Sequence, residues 1–168
     1  MPDRPRVLLS DADVLIDYRD SDLSILALVV QHLAPVHVVR DVVDEVDDLS
    51  LERCGELGLT VIEVEPEVLL QLATLPRRLS RYDRLSLQVC RENDWICVTN
   101  DRLLRRLCGE HSVRTKWGLE LMLDLVSAGG LSASRALETA RCIHTNNPHH
   151  ISEKILERFS SRLGPRES

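Results

Sequence analysis

Short apolar runs alternate along the chain with segments whose apolar residues recur at helical spacing. That alternation predicts parallel strands joined by helices, the βαβ pattern. Strand-like runs fall at Val7–Ser10, Val36–Val39, Thr60–Val64 and Ile96–Thr99, with a weaker one at Ser112–Thr115. Between the first two, Leu23–Leu33 is apolar around most of its circumference, which predicts a well-buried helix. Asp41 opens a short helix carrying Val42, Val43 and Val46. A second runs over Leu51–Leu57 and stops at Gly58, the residue type favoured just past a helix end. Pro66 suits the first turn of a helix through Leu75, and Pro76 follows it. Ser80 starts the strongest amphipathic helix, with Leu79, Leu85, Leu87 and Val89 on its apolar side, and Asp101–Cys108 forms another, stopped by Gly109. From Lys116 onward the pattern is helical throughout. Trp117–Ser127, Ser132–Thr145 and Ser152–Leu163 are separated by Gly129-Gly130 and Asn146-Asn147-Pro148, and Gly164 to Ser168 are expected to fray. No internal repeat and no low-complexity segment interrupts this order.

Composition narrows the picture. At 168 residues with 43% hydrophobic content, the chain can bury one substantial core. Aromatics make up only 3%, so that core must be aliphatic. The formal charge of −6 does not suit nucleic-acid binding by bulk electrostatics, although a bound cation in an acidic site would reverse the local sign. Cys54, Cys90, Cys97, Cys108 and Cys142 are odd in number and lack CxxC spacing, so they read as small core hydrophobes in a reducing cytoplasm. With no leader-like segment and no run able to span a bilayer, the expectation is a cytoplasmic protein that does not engage membranes.

Four carboxylates then stand out: Asp11, Glu45, Asp83 and Asp101. Asp11 and Asp101 follow strand-like runs, while Glu45 and Asp83 sit on short or early helical turns. In an open parallel sheet the carboxyl ends of strands border one crevice. Acids that meet there cannot all stay ionised and unpaired, and a hard divalent cation held by oxygens is the simplest remedy. Singly, each acid has a plainer role. Ser80-x-x-Asp83 fits a capping box, Asp13 can cap the first helix, and Asp101 or Asn100 can cap the helix that follows them. Glu45 could be an exposed helix carboxylate.

Several stretches resemble the motifs of PIN-domain nucleases. Val7-Leu8-Leu9-Ser10-Asp11-Ala12-Asp13 is similar to that family's opening strand and turn, and Val42-Val43-Asp44-Glu45-Val46 to its second acidic motif. Leu79 to Leu87, centred on Asp83, resembles the third, and Val98-Thr99-Asn100-Asp101-Arg102 the fourth. The ordered set covers roughly residues 6–130. The resemblance implies a three-layer α/β/α PIN-like fold with a central parallel sheet over residues 1–130, and residues 131–168 as a helical extension packed on the same domain. It also implies that Asp11, Glu45, Asp83 and Asp101 hold one or two Mg²⁺ or Mn²⁺ ions for metal-dependent hydrolysis of RNA. Thr99 would orient the site, and Asp13 would be auxiliary. Among prokaryotic relatives the likeness is to VapC-type toxins, which implies a toxin–antitoxin setting, an antitoxin protein partner and a homodimer. Arg81, Arg84, Arg102, Arg105 and Arg106 could form a phosphate-guiding rim or a solvated helix face. Leu137, Ile143, Ile155, Leu156 and Phe159 recur at helical spacing beyond Gly130 and fit extra core first, then a dimer face or a groove for an antitoxin helix. His144, His149 and His150 sit in a loop-like stretch that favours no zinc site.

Two rival functions exist. Asp11-Ala12-Asp13 mimics the nucleophile pair of haloacid-dehalogenase-type phosphatases, but no lysine lies between Asp11 and Asp101 to complete that chemistry. A PIN-like RNA- or protein-binding module without catalysis is the other, and metal-dependent cleavage discriminates it.

Overall fold

The computed structural model describes residues 6–164; Gly164 apart, the tail expected to fray lies outside them. Five strands align in parallel: β1 (Leu8–Ser10), β2 (Val36–Val39), β3 (Thr60–Ile62), β4 (Ile96–Val98) and β5 (Thr115–Lys116), in the order β3-β2-β1-β4-β5. The chain steps outward from β1 through β2 to β3, then returns past β1 to lay down β4 and β5. The order therefore reverses between β1 and β4, and a crevice opens beyond their carboxyl ends.

Helices flank this sheet, an arrangement consistent with three α/β/α layers. They are α1 (Ala12–Asp20), α2 (Ser24–His32), α3 (Arg40–Glu45), α4 (Leu51–Glu56), α5 (Pro66–Gln71), α6 (Arg81–Asn93) and α7 (Arg102–Glu110). After β5 follow α8 (Gly118–Ser127), α9 (Ala133–Asn146) and α10 (Glu153–Arg162). The core is aliphatic: Leu9, Val14, Leu15, Ile25, Leu26, Val38, Leu85, Leu87, Leu104 and Leu125 are all fully buried. Cys54, Cys90, Cys97 and Cys108 join it as free thiols. No helix among the described residues is long and apolar enough to cross a membrane.

Three boundaries depart from the pattern in the sequence. β3 ends at Ile62 rather than Val64, because its partner β2 stops at Val39, where Arg40 begins α3. The helix opened by Pro66 gives way at Leu72 to a single 3₁₀ turn. Leu75 is then extended, as a residue before proline must be. Gly109 does not stop α7; the chain turns at Ser112 (φ 60°), where the Val113 N–H returns to the Cys108 carbonyl at 2.8 Å. That turn takes up Ser112, so of the expected strand only Thr115 is retained, and β5 runs over Thr115–Lys116.

Beyond Gly130 the chain folds back onto the rest. α9 packs on α1 and α8, and α10 on α8 and α9. The seam is polar as well as apolar. Arg135 reaches Asp22 at 2.7 Å, and the Asn147 amide donates to Asp17 at 3.0 Å. Asp17 accepts a second bond, also 3.0 Å, from the side chain of Asn100, and Asn100 in turn accepts the Gly118 N–H at 2.9 Å. The Tyr18 hydroxyl donates to the Gly118 carbonyl at 2.6 Å. A Cβ at 118 would crowd the Asn100 amide at 3.0 Å and Val14 at 3.1 Å, so any larger residue there must push these side chains aside. Asn100→Ala would leave both the Gly118 N–H and one Asp17 oxygen buried without a partner. The expected cost is about 2–4 kcal/mol. In a chain of this size that lowers the melting temperature by roughly 5–15 °C in a thermal denaturation scan.

Candidate metal centre

Asp11 is the residue at which β1 becomes α1. Its backbone N–H still pairs with the Val98 carbonyl of β4 at 3.1 Å, while its side chain caps α1 by accepting the Val14 N–H at 2.9 Å. The cap is therefore Asp11, and Asp13 sits one turn inside, in the first turn of α1. At the end of β4, Thr99 is fully buried and its hydroxyl accepts the Asp101 N–H at 3.0 Å. Asp101 caps α7 through the Leu104 N–H at 2.8 Å. Asp83 lies in the first turn of α6, where the Ser80 hydroxyl accepts its N–H at 3.0 Å. Three helix N-termini thus bring carboxylates to the switch point, and their partial positive ends ease the negative charge.

Only one Asp11 oxygen is used by the cap. Oδ2 is buried and has no hydrogen-bond partner. The Thr99 hydroxyl and the Val14 N–H ease its charge, but burial outweighs them, and Asp13 and Asp83 add repulsion. The Asp11 carboxyl is pushed up to about 8. Burial also raises Asp83, whose charge is opposed by Asp101 and Asp13 and eased by Ser80. Asp17, one turn beyond Asp13, is raised by burial too, against the two asparagine amides that bond it.

The crevice consequently gathers Asp11, Asp83 and Asp101 together with Asp13. Glu45 is not among the groups that repel them. It is exposed at the end of α3, and its carboxylate accepts the hydroxyl of Tyr82, the neighbour of Asp83. Of the five arginines on the expected rim, Arg81 pairs with Asp41, Arg106 with Glu110, and Arg84 donates to the Leu72 carbonyl. Arg102 and Arg105 turn elsewhere. The sequence offers Asn100 only as a cap for the following helix, whereas its side chain ties Asp17 to Gly118; Asp17 carries no signal beyond its spacing four residues after Asp13 on one face of α1.

An all-carboxylate donor set suits Mg²⁺ or Mn²⁺ rather than a softer metal, and the unpartnered Asp11 oxygen fits such an ion. Among the described residues, no three His, Cys, Asp or Glu side chains already form a group that could hold a metal. The carboxylates converge without closing into a ligand shell.

The raised Asp11 has a direct consequence for stability. Folded protein holds this proton more tightly than unfolded chain does. As pH rises from about 4 to about 8, the unfolded state ionises first and the folded state loses stability. In metal-free thermal scans, the melting temperature of Asp11→Asn relative to wild type should rise across that window, by on the order of 10 °C. A gap that stays flat with pH would mean that Asp11 ionises normally. No protein-family model matches the chain, and no curated protein matches it at a significant level.

Proposed function

We propose that this protein is a metal-dependent endoribonuclease with a PIN-like fold. The observation that carries the reading is the Asp11 carboxyl, buried without a partner for Oδ2 at the switch point and surrounded by Asp13, Asp83 and Asp101. Asp11, Asp83 and Asp101 would hold Mg²⁺ or Mn²⁺, with Asp13 beside them and Glu45 reaching the outer edge from Tyr82. When bound, such an ion supplies charge neutralisation and polarises a phosphate oxygen. Asp11 gives up its proton at Oδ2 as the site fills. The Val14 N–H holds Oδ1, and the Thr99 hydroxyl fixes the Asp101 backbone, so both carboxylates keep their orientation. The net reaction adds water across a phosphodiester: the bond from phosphorus to the 3′ oxygen breaks, leaving a 3′-hydroxyl and a 5′-phosphate. No side-chain nucleophile is needed. The toxin setting, an antitoxin partner, a homodimer and a cytoplasmic location follow from the PIN resemblance.

A second reading, a catalytically weak RNA- or protein-binding module, draws on the open arrangement of the acids and on Glu45 being held by Tyr82. Cleavage of a mixed single-stranded RNA pool separates the two. Wild type should cut with Mn²⁺ or Mg²⁺ and not with EDTA. Asp11→Asn and Asp101→Asn should each lose at least about 100-fold, a loss of about 2.7 kcal/mol of transition-state stabilisation. Glu45→Gln should lose less than either. Folded wild type that cuts nothing with either metal would favour the binding module.

Binding of the ion can be read apart from cleavage. At pH 8, saturating Mn²⁺ should raise the melting temperature of wild type by about 5 °C or more, since 100-fold excess over Kd is worth about 2.7 kcal/mol. Asp11→Asn should show little shift. Equal shifts in both proteins would place the cation elsewhere.

A further inference from the structure

The two residues flanking Asp101, Asn100 and Arg102, line a cavity of about 460 Å³ between the α7–α8 region and α10. Arg102 and Arg105 enter it from α7, and Arg158 and Arg162 from α10. Among the described residues, Glu120 is the one carboxylate on its wall. The chain is acidic overall, and several arginines elsewhere find carboxylates, such as Arg19 with Asp20, Arg40 with Glu63 and Arg135 with Asp22, while others, such as Arg77 and Arg91, stand alone among the described residues. What sets this pocket apart is four guanidiniums on one wall. None of these four makes an ion pair among the described residues. Arg105 goes further, with Nη1 buried and without any hydrogen-bond partner. Glu120 eases the charge of Arg105, but four guanidiniums against that carboxylate leave an excess of like charge, and a ligand bearing negative charge relieves the repulsion.

Apart from Asn100 and His150, the rest of the wall is apolar. The Arg105 guanidinium lies 3.7 Å from the centre of the Trp117 ring, and Phe159 is buried against the same space. An indole carrying a stacked guanidinium is the kind of surface on which an unpaired base stacks, while further arginines take the adjoining phosphate. The volume lies within the range of pockets that enclose a small ligand and cannot admit a duplex. Asn100 and Arg102, the neighbours of Asp101 in the chain, place it next to the carboxylates.

We propose that this pocket holds one nucleotide unit of a single-stranded RNA, its base against Trp117 and its phosphate among Arg102, Arg105, Arg158 and Arg162. The choice of RNA as the source of that nucleotide rests on the nuclease reading; the chemistry of the pocket is equally that of a free nucleotide. Residues beyond Gly130 therefore supply half of the cationic lining and belong to the substrate surface.

Trp117 reports on its own pocket once the other indole is removed. In a Trp95→Phe background, with EDTA present so that no strand is cut, a short single-stranded RNA should change Trp117 fluorescence in a saturable way. Adenosine 5′-monophosphate should do so more weakly. Arg158→Ala with Arg162→Ala, both at exposed positions, should weaken RNA binding at least tenfold without changing the melting temperature. A silent Trp117, or unchanged affinity in the double variant, overturns the proposal. A response to the mononucleotide but not to RNA overturns the strand assignment, and a response only to a fatty-acid anion overturns the nucleotide. The RNA-cleavage assay keeps the two readings apart. Metal-dependent cutting with a silent Trp117 removes the pocket and leaves the nuclease. A responsive Trp117 with no cutting under Mg²⁺ or Mn²⁺ does the reverse.

Discussion

One carboxyl group with two incompatible obligations organises this molecule. Asp11 must cap α1, because the chain passes from strand to helix at that residue and the first N–H groups of the helix have no partner within it. It must also sit where β1 ends, between β4 and the helices that cover it, at 2% exposure. One oxygen satisfies the cap and the other is left in the dry interior. A buried ionised oxygen without a partner costs several kcal/mol, so the group keeps its proton near neutral pH instead. Serine or asparagine would cap the helix without this conflict. An acid in that place is a local weakness, and such weaknesses concentrate at working sites.

The strand order turns this weakness into a site. Because the chain reverses direction across the sheet between β1 and β4, the residues after those strands face a gap that no crossover helix fills. Asp101 arrives by the same local route as Asp11, capping the helix that follows its strand, and Asp83 arrives from the first turn of α6. Each acid is justified by its own helix end. Their convergence is a property of the topology: burial raises Asp11 and Asp83, and the neighbouring acids add repulsion to it.

What was legible in the sequence follows this division between local and distant causes. Strand runs, helix spacing and the caps at Ser80 and Asp101 depend on residues within four or five positions of one another, and they could be read directly. The end of β3 depends on where β2 stops, and the position of β5 on how α7 unwinds through Ser112, so both lay outside local reading. At the site, Asp11, Asp83 and Asp101 could be named because each follows an apolar run or a capping signal. The hold of Tyr82 on Glu45 spans 37 residues, and the Asp17–Asn147 bond spans 130. Neither leaves a periodic trace. The unpaired arginines were hardest of all, since a guanidinium becomes notable only when every carboxylate within reach is known.

These distant contacts also resolve the tension between an acidic chain and a polyanionic ligand. Net charge governs long-range attraction, which is screened within about 10 Å at ordinary salt. Inside that distance the arrangement of charges decides. Here the acids and the free arginines border each other at Asn100, Asp101 and Arg102. Asn100 holds the two regions in register, accepting from Gly118 at the start of α8 and donating to Asp17, which also ties down Asn147 ahead of α10. A substrate phosphate placed among the arginines would therefore lie at a fixed offset from the carboxylates, set by bonds already made in the fold. The C-terminal helices are then part of the geometry of the site, and the bond that anchors them to Asp17 shares its partner with the crevice floor.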